Sequence, residues 1–151
     1  MDMRLVLVKD TFPEIMAGAP CPMVFANEHV VHLSYYDING DVALVKFEHC
    51  FEFKMGMPGE DQISKSPYSD LGLINFEAHT VVNSPWLNEL ESRYRVISDF
   101  SRGEREYVHY IFAFHDRTFE CISSGFSVQK HTETTVKLVL MDKAWGDASG
   151  Y

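Results

Sequence analysis

Two histidines, a carboxylate–imidazole pair and a run of arginines are the residues of this chain whose types could do chemistry. His29 and His49 stand at equal distance from the turn-forming stretch Asp37-Ile38-Asn39-Gly40-Asp41, so a hairpin about that turn sets them opposite each other. Two imidazoles that share a buried site keep neutral nitrogens, which can exchange protons or bind a metal. A zinc site needs at least a third ligand, and local spacing supplies none. His32 does not help, because residues three apart on a strand face opposite ways. No metal site is therefore expected. The plainer reading is two polar aromatics donating to backbone carbonyls near a barrel mouth.

Glu77 and His79 lie two apart, which on a strand makes their side chains neighbours. Such a pair is a usable general base with its orienting partner. It is also an ordinary surface pair, and only a concave face would favour the catalytic reading. The cysteines offer less. Cys50 follows His49 directly, and strand neighbours cannot form a dyad. Cys121 alternates with core positions and reads as a packed thiol, while Cys21 sits between two prolines with no base nearby. No nucleophile elbow, phosphate loop or dinucleotide fingerprint occurs, and no cofactor is expected.

The arginines are unevenly spread. Arg93, Arg95, Arg102 and Arg105 are four of the six in the chain. With Asp99 and Glu104 they make residues 93–105 a local +2 in a chain of net charge −9. Guanidinium forks take carboxylates and phosphates bidentately, so this segment is the candidate binding site for a small anion or an acidic protein partner. The plainer reading pairs Arg93 and Arg95 with helix glutamates and leaves the other two in solvent. The overall negative charge argues against nucleic acid and against an anionic membrane surface.

Strands must position these groups. Between residues 42 and 55 the odd positions Ala43, Val45, Phe47, Phe51, Phe53 and Met55 are apolar, and Lys46, Glu48, Glu52 and Lys54 alternate with them. That is a long strand with one buried face, which calls for a bulge or strong coiling. A three-residue turn with Gly40 left-handed pairs Tyr35 with Ala43, Leu33 with Val45, Val31 with Phe47 and His29 with His49. Residues 73–83 alternate as a further strand. A second hairpin joins 105–115 to 118–127, with Phe114 set against Phe119, and 134–141 reads as a last strand. Ser84 and Pro85 open the one convincing helix, ending near Arg95. Residues 54–70 have no period and are expected to be the most mobile internal stretch.

These elements predict a mainly β fold, an antiparallel barrel or sandwich of six to seven strands with one short α-helix. The alternative is an α+β arrangement, a twisted antiparallel sheet wrapped on the helix. A length of 151 residues suits one domain, taken as 3–141 with a flexible tail at 142–151. The first ten residues lack the basic start and apolar run of a signal peptide, and no apolar run approaches the ~18 residues that cross a bilayer. With three unpatterned cysteines, a cytoplasmic location is expected. The functional expectation is a soluble binding or interaction module for a small anionic ligand or acidic partner. The alternative is a small hydrolase or isomerase with a histidine site at the barrel mouth. A homodimer is the further expectation should the 54–70 loop prove to be packed.

Overall fold

Gly40 and the carboxylate of Asp37 build the turn that sets the first register. In the structure, a computed structural model that describes residues 2–8, 10–18, 22–94 and 106–131, Gly40 is left-handed at φ 84°. Asp37 Oδ1 accepts the N–H groups of Asn39 (2.9 Å) and Asp41 (3.0 Å). The backbone closes from Asp37 N–H to the Asp41 carbonyl at 2.9 Å. Strands β3 (Val30–Tyr36) and β4 (Val42–Glu48) then pair antiparallel, Tyr35 with Ala43, Leu33 with Val45 and Val31 with Phe47. This is the register that the apolar alternation demands, since a one-residue slip would turn His32 and Ser34 inward.

Nine strands among the described residues form two antiparallel sheets. With β1 (Arg4–Leu7), β2 (Met23–Ala26), β5 (Glu52–Gly56), β6 (Ala78–Val82), β7 (Val108–Ala113), β8 (Thr118–Ser123) and β9 (Gly125–His131), the order is β1-β6-β7-β8-β5 in one sheet and β2-β3-β4-β9 in the other. The fold is sandwich-like and not a closed barrel. Its core lies between the sheets and is largely aromatic: Phe12, Phe47, Tyr110, Phe112, Phe114 and Phe119 are buried with Leu33 and Val45. Edge-to-face contacts such as Phe12–Phe112 at 4.8 Å lock the rings, and each fully buried ring contributes about 1.5–3 kcal/mol.

The strand count among the described residues exceeds six to seven because two expected strands are each divided between the sheets and because β2 forms at Met23–Ala26, where no strand was expected. Residues 42–55 do not bulge. The chain leaves β4 at Glu48, turns at His49 in a left-handed conformation (φ 48°), and begins β5 in the opposite sheet. Residues 118–127 do the same at Ser124, passing from β8 to β9. The two crossings are stitched together at one carbonyl. Glu48 O accepts from Ser123 Oγ (2.6 Å) and from Ser124 N–H (3.2 Å), while Phe51 N–H reaches Ile122 O at 2.7 Å.

The β7–β8 hairpin keeps the expected apolar face but shifts register by two residues. Phe112 pairs with Phe119 and Tyr110 with Cys121, because Phe114 N–H bonds Arg117 O (2.9 Å) around the two-residue turn His115-Asp116. Of residues 73–83 only Ala78–Val82 is strand, and Phe76 before it adopts φ 62°. Helix α1 (Pro85–Tyr94) starts where expected, with Ser84 Oγ accepting Leu87 N–H at 3.1 Å. The expected strand 134–141 and tail lie outside the described residues.

The 54–70 segment is anchored, contrary to expectation. Its first residues complete β5, and two 3₁₀ turns follow, Glu60–Lys65 and Ser69–Leu71. Ile63, Tyr68, Leu71 and Leu73 pack on Val81, Ile111 and Ala113, covering the outer face of the five-stranded sheet. Thr118 Oγ1 donates to Pro58 O (2.7 Å), and a Cβ on Gly59 would lie 2.8 Å from the carbonyl oxygens of His115 and Asp116. Only glycine allows that approach. The apolar residues of the segment are spaced for irregular turns, which is why no period announces them.

Candidate functional site

The sheet crossing at His49 opens one end of the sandwich. A groove of about 620 Å³ lies there, lined by Glu28, His29, Lys46, Glu48, His49 and Cys50, with Phe51 and Tyr107 as its aromatic wall. Both sequence-selected histidines line it. They are exposed, not buried, because the β3–β4 ladder stops at Val30–Glu48, one pair short of them. Asn27 holds the approach to β3, its Oδ1 accepting the N–H groups of His29 (2.8 Å) and Val30 (3.0 Å).

Phe51 joins this groove to Tyr94 and Tyr107. Its ring meets Tyr94, the last residue of α1, at 5.3 Å and Tyr107 at 5.9 Å. Residues 95–105, carrying Arg95, Arg102 and Arg105, lie outside the described residues. The two described tyrosines nearest the ends of that stretch thus pack on one ring of the groove. Arg93 is paired with Glu89 one helical turn back and stacks over Tyr94 at 5.6 Å. That is the helix pairing its spacing indicates.

The second sequence-selected pair is separated. His79 is buried under the outer cluster, where Nε2 accepts Ile74 N–H at 3.2 Å and burial lowers its pKa below the usual histidine range. Glu77 instead lines a small cavity of about 100 Å³ with Val8, Asp10, Phe12 and Glu14. Cys121 is fully buried, and burial followed by its neighbour Cys50 pushes the thiol up, which leaves it inert as a nucleophile. Among the described residues no group of three His, Cys, Asp or Glu side chains is placed to hold a metal ion.

Sequence reasoning missed a polar relay on the outer face of the five-stranded sheet. Ser84 Oγ lies 2.7 Å from His109 Nδ1, and His109 Nε2 lies 2.8 Å from Glu120 Oε1. Tyr68 also hydrogen-bonds Glu120, and Lys54 Nζ stands 3.7 Å from it while capping the Trp86 ring at 4.4 Å. Burial pushes the Glu120 carboxyl up, but the His109 hydrogen bond, the Lys54 charge and the Tyr68 hydroxyl outweigh it and hold the group below the ordinary carboxylate value. The same burial and the carboxylate raise the Tyr68 phenol. The one signal in the sequence was that His109 and Glu120 both fall off the apolar face of their hairpin.

A Ser–His–carboxylate chain is the arrangement of nucleophilic catalysis. Here it is structural. Ser84 is 2% exposed and His109 fully buried, so no substrate reaches the hydroxyl. That oxygen accepts the helix N–H of Leu87 and therefore turns its own hydrogen to His109 Nδ1, leaving Nε2–H to donate to Glu120. The relay ties α1 to β7 and β8. Comparison with protein families, with curated proteins and with solved structures finds no match to this chain.

Proposed function

We propose that this protein is a binding module for a small anionic ligand, seated in the groove beside His29 and His49. One observation carries this: Tyr94 and Tyr107, which stand on either side of residues 95–105, both pack on Phe51, a wall of that groove. A volume of about 620 Å³ suits a small organic molecule, with an aromatic wall for its body and imidazole N–H groups and Lys46 for its polar end. Among the described lining residues Lys46 is the one fixed cation, against the carboxylates of Glu28 and Glu48. An anion is therefore favoured only if Arg95, Arg102 and Arg105 supply the balance. A cytoplasmic setting agrees with the free thiols Cys50 and Cys121. Among the described residues no helix is long and apolar enough to cross a membrane.

The test is calorimetric titration with a panel of phosphate, citrate and a short acidic peptide. Replacing Arg102 and Arg105 together by Ser should weaken the best of these more than tenfold, about 1.4 kcal/mol, with an unchanged thermal midpoint. Full affinity in that double variant would refute the arginine contribution, and tightest binding by the peptide would make the partner an acidic protein. The second reading is a small hydrolase or isomerase, favoured by the two imidazoles meeting Glu48 and the Cys50 thiol in one groove. It requires turnover of an ester or keto-acid panel that His29→Gln and His49→Gln each abolish.

A further inference from the structure

The five-stranded sheet stops at β5. β8 pairs with one side of that strand, and among the described residues no strand pairs with the other. An open edge with apolar side chains is a template for another chain, and proteins that must avoid pairing blunt it with charge, proline or a bulge. Between Glu52 and Gly56 β5 has no proline, and its two charges, Glu52 and Lys54, are of opposite sign. Phe53, stacked on Phe119 at 6.5 Å, remains 42% exposed, and Met57 just beyond the strand is 62% exposed. Met55 is only partly buried against the core. Among the described residues nothing completes the apolar side of this edge.

Charge says what finishes it. Among the described residues the strands at the sheet margins are β1, β5, β2 and β9, and of these β5 is the one that carries both signs within its bounds, Glu52 and Lys54. Pair β5 antiparallel with a copy of itself about Phe53. Phe53 then faces Phe53 of the second copy, Glu52 faces Lys54 at both crossings, and Phe51 faces Met55. Centre the pairing on Lys54 instead, and two lysines stand directly opposed while Glu52 faces Gly56. Opposite charges across an antiparallel pair stabilise it and like charges destabilise it, so one register is selected. A two-fold interface must be self-complementary in this way.

We infer that β5 is a dimerisation edge at which two copies of this chain pair antiparallel about Phe53, joining their five-stranded sheets. Glu52 also accepts Trp86 Nε1–H at 3.1 Å, and Lys54 reaches Glu120, so both charged side chains are held on the outer face before the second copy arrives. The contact is short, which sets the association among the weaker ones. At physiological ionic strength the Debye length of about 8 Å mutes repulsion between two chains of net charge −9.

Sedimentation velocity on the full chain across a concentration series tests this. The wild type should shift from monomer to dimer with concentration. Glu52→Lys and Lys54→Glu should each stay monomeric, and their equimolar mixture should dimerise because opposite charges again meet at both crossings. A wild type that stays monomeric, a dimer indifferent to both swaps, or folded swaps whose mixture stays monomeric overturns the inference. Should either swap fail to fold by circular dichroism, Phe53→Ser takes its place. It leaves Trp86 and Glu120 untouched, should lose the dimer, and refutes the assignment if the dimer persists.

Discussion

Ser84→Ala separates a structural relay from a catalytic one. The substitution removes two things at once. The first is the N-cap of α1, since Ser84 Oγ accepts Leu87 N–H, and loss of such a cap costs about 1 kcal/mol. The second is the partner of His109 Nδ1, a fully buried nitrogen left without a donor, which costs about 1–3 kcal/mol. Together they predict a loss of roughly 2–4 kcal/mol, large against the 5–15 kcal/mol by which domains are stable. Urea unfolding followed by fluorescence reads this directly, because Trp86 stands edge-on to His109 at 5.1 Å. A cycle with Glu120→Gln should show coupling, since His109 links the two side chains. A cost no larger than a simple cap, with no coupling, would refute the relay. Labelling of Ser84 in the folded protein by a serine-directed fluorophosphonate would refute its structural assignment outright.

Three further outcomes are expected. Gly40→Val should destabilise by about 1 kcal/mol or more, and since no atom lies within 4 Å of an added Cβ the cost is the backbone's left-handed angle alone; an unchanged urea midpoint would count against this turn. Glu120 is ionised more readily in the fold than in the open chain, so its contribution is present above the ordinary glutamate value of 4.5 and is lost as pH falls below it through the lowered folded value; Glu120→Gln should flatten the acid limb of a stability–pH curve. Tyr68→Ala should free the 3₁₀ segment from its sheet and speed tryptic cleavage at Lys65, and equal cleavage rates would mean that the segment is already detached.

Period-two alternation made the β3–β4 hairpin legible to the residue, because a single slip would invert every side chain. The same periodicity misled over 42–55, since Glu52, Lys54 and the Phe residues keep alternating after the strand has changed sheets. Alternation reports a face and not which sheet the face belongs to. The β7–β8 slip was invisible for a related reason: moving by two residues leaves Tyr110, Phe112, Phe119 and Cys121 facing inward. Tyr68, Ile63 and Leu71 escaped because 3₁₀ turns have no extended period to detect. Ser84 was read as a cap, which it is; its second partner, His109, is 25 residues away and nothing local connects them.

The groove and the crossings have one physical origin. A strand that passes from one sheet to the other cannot keep both ladders, so pairing ends at Val30–Glu48 on one side and restarts at Phe51 N–H to Ile122 O on the other. Between them the chain needs a sharp reversal, and His49 supplies it at a positive φ that histidine adopts more readily than β-branched residues do. The sheets part at this point, which leaves a concavity with the side chains of the reversal on its rim. His29 and His49 both line it, each one residue beyond the last pair of the β3–β4 ladder. Phe51, the next aromatic after the reversal, packs against Tyr94 and Tyr107 at the wall of the groove. A site assembled by one topological event depends on that event, so a change that weakens the Glu48 stitch should disturb the groove before it disturbs the core.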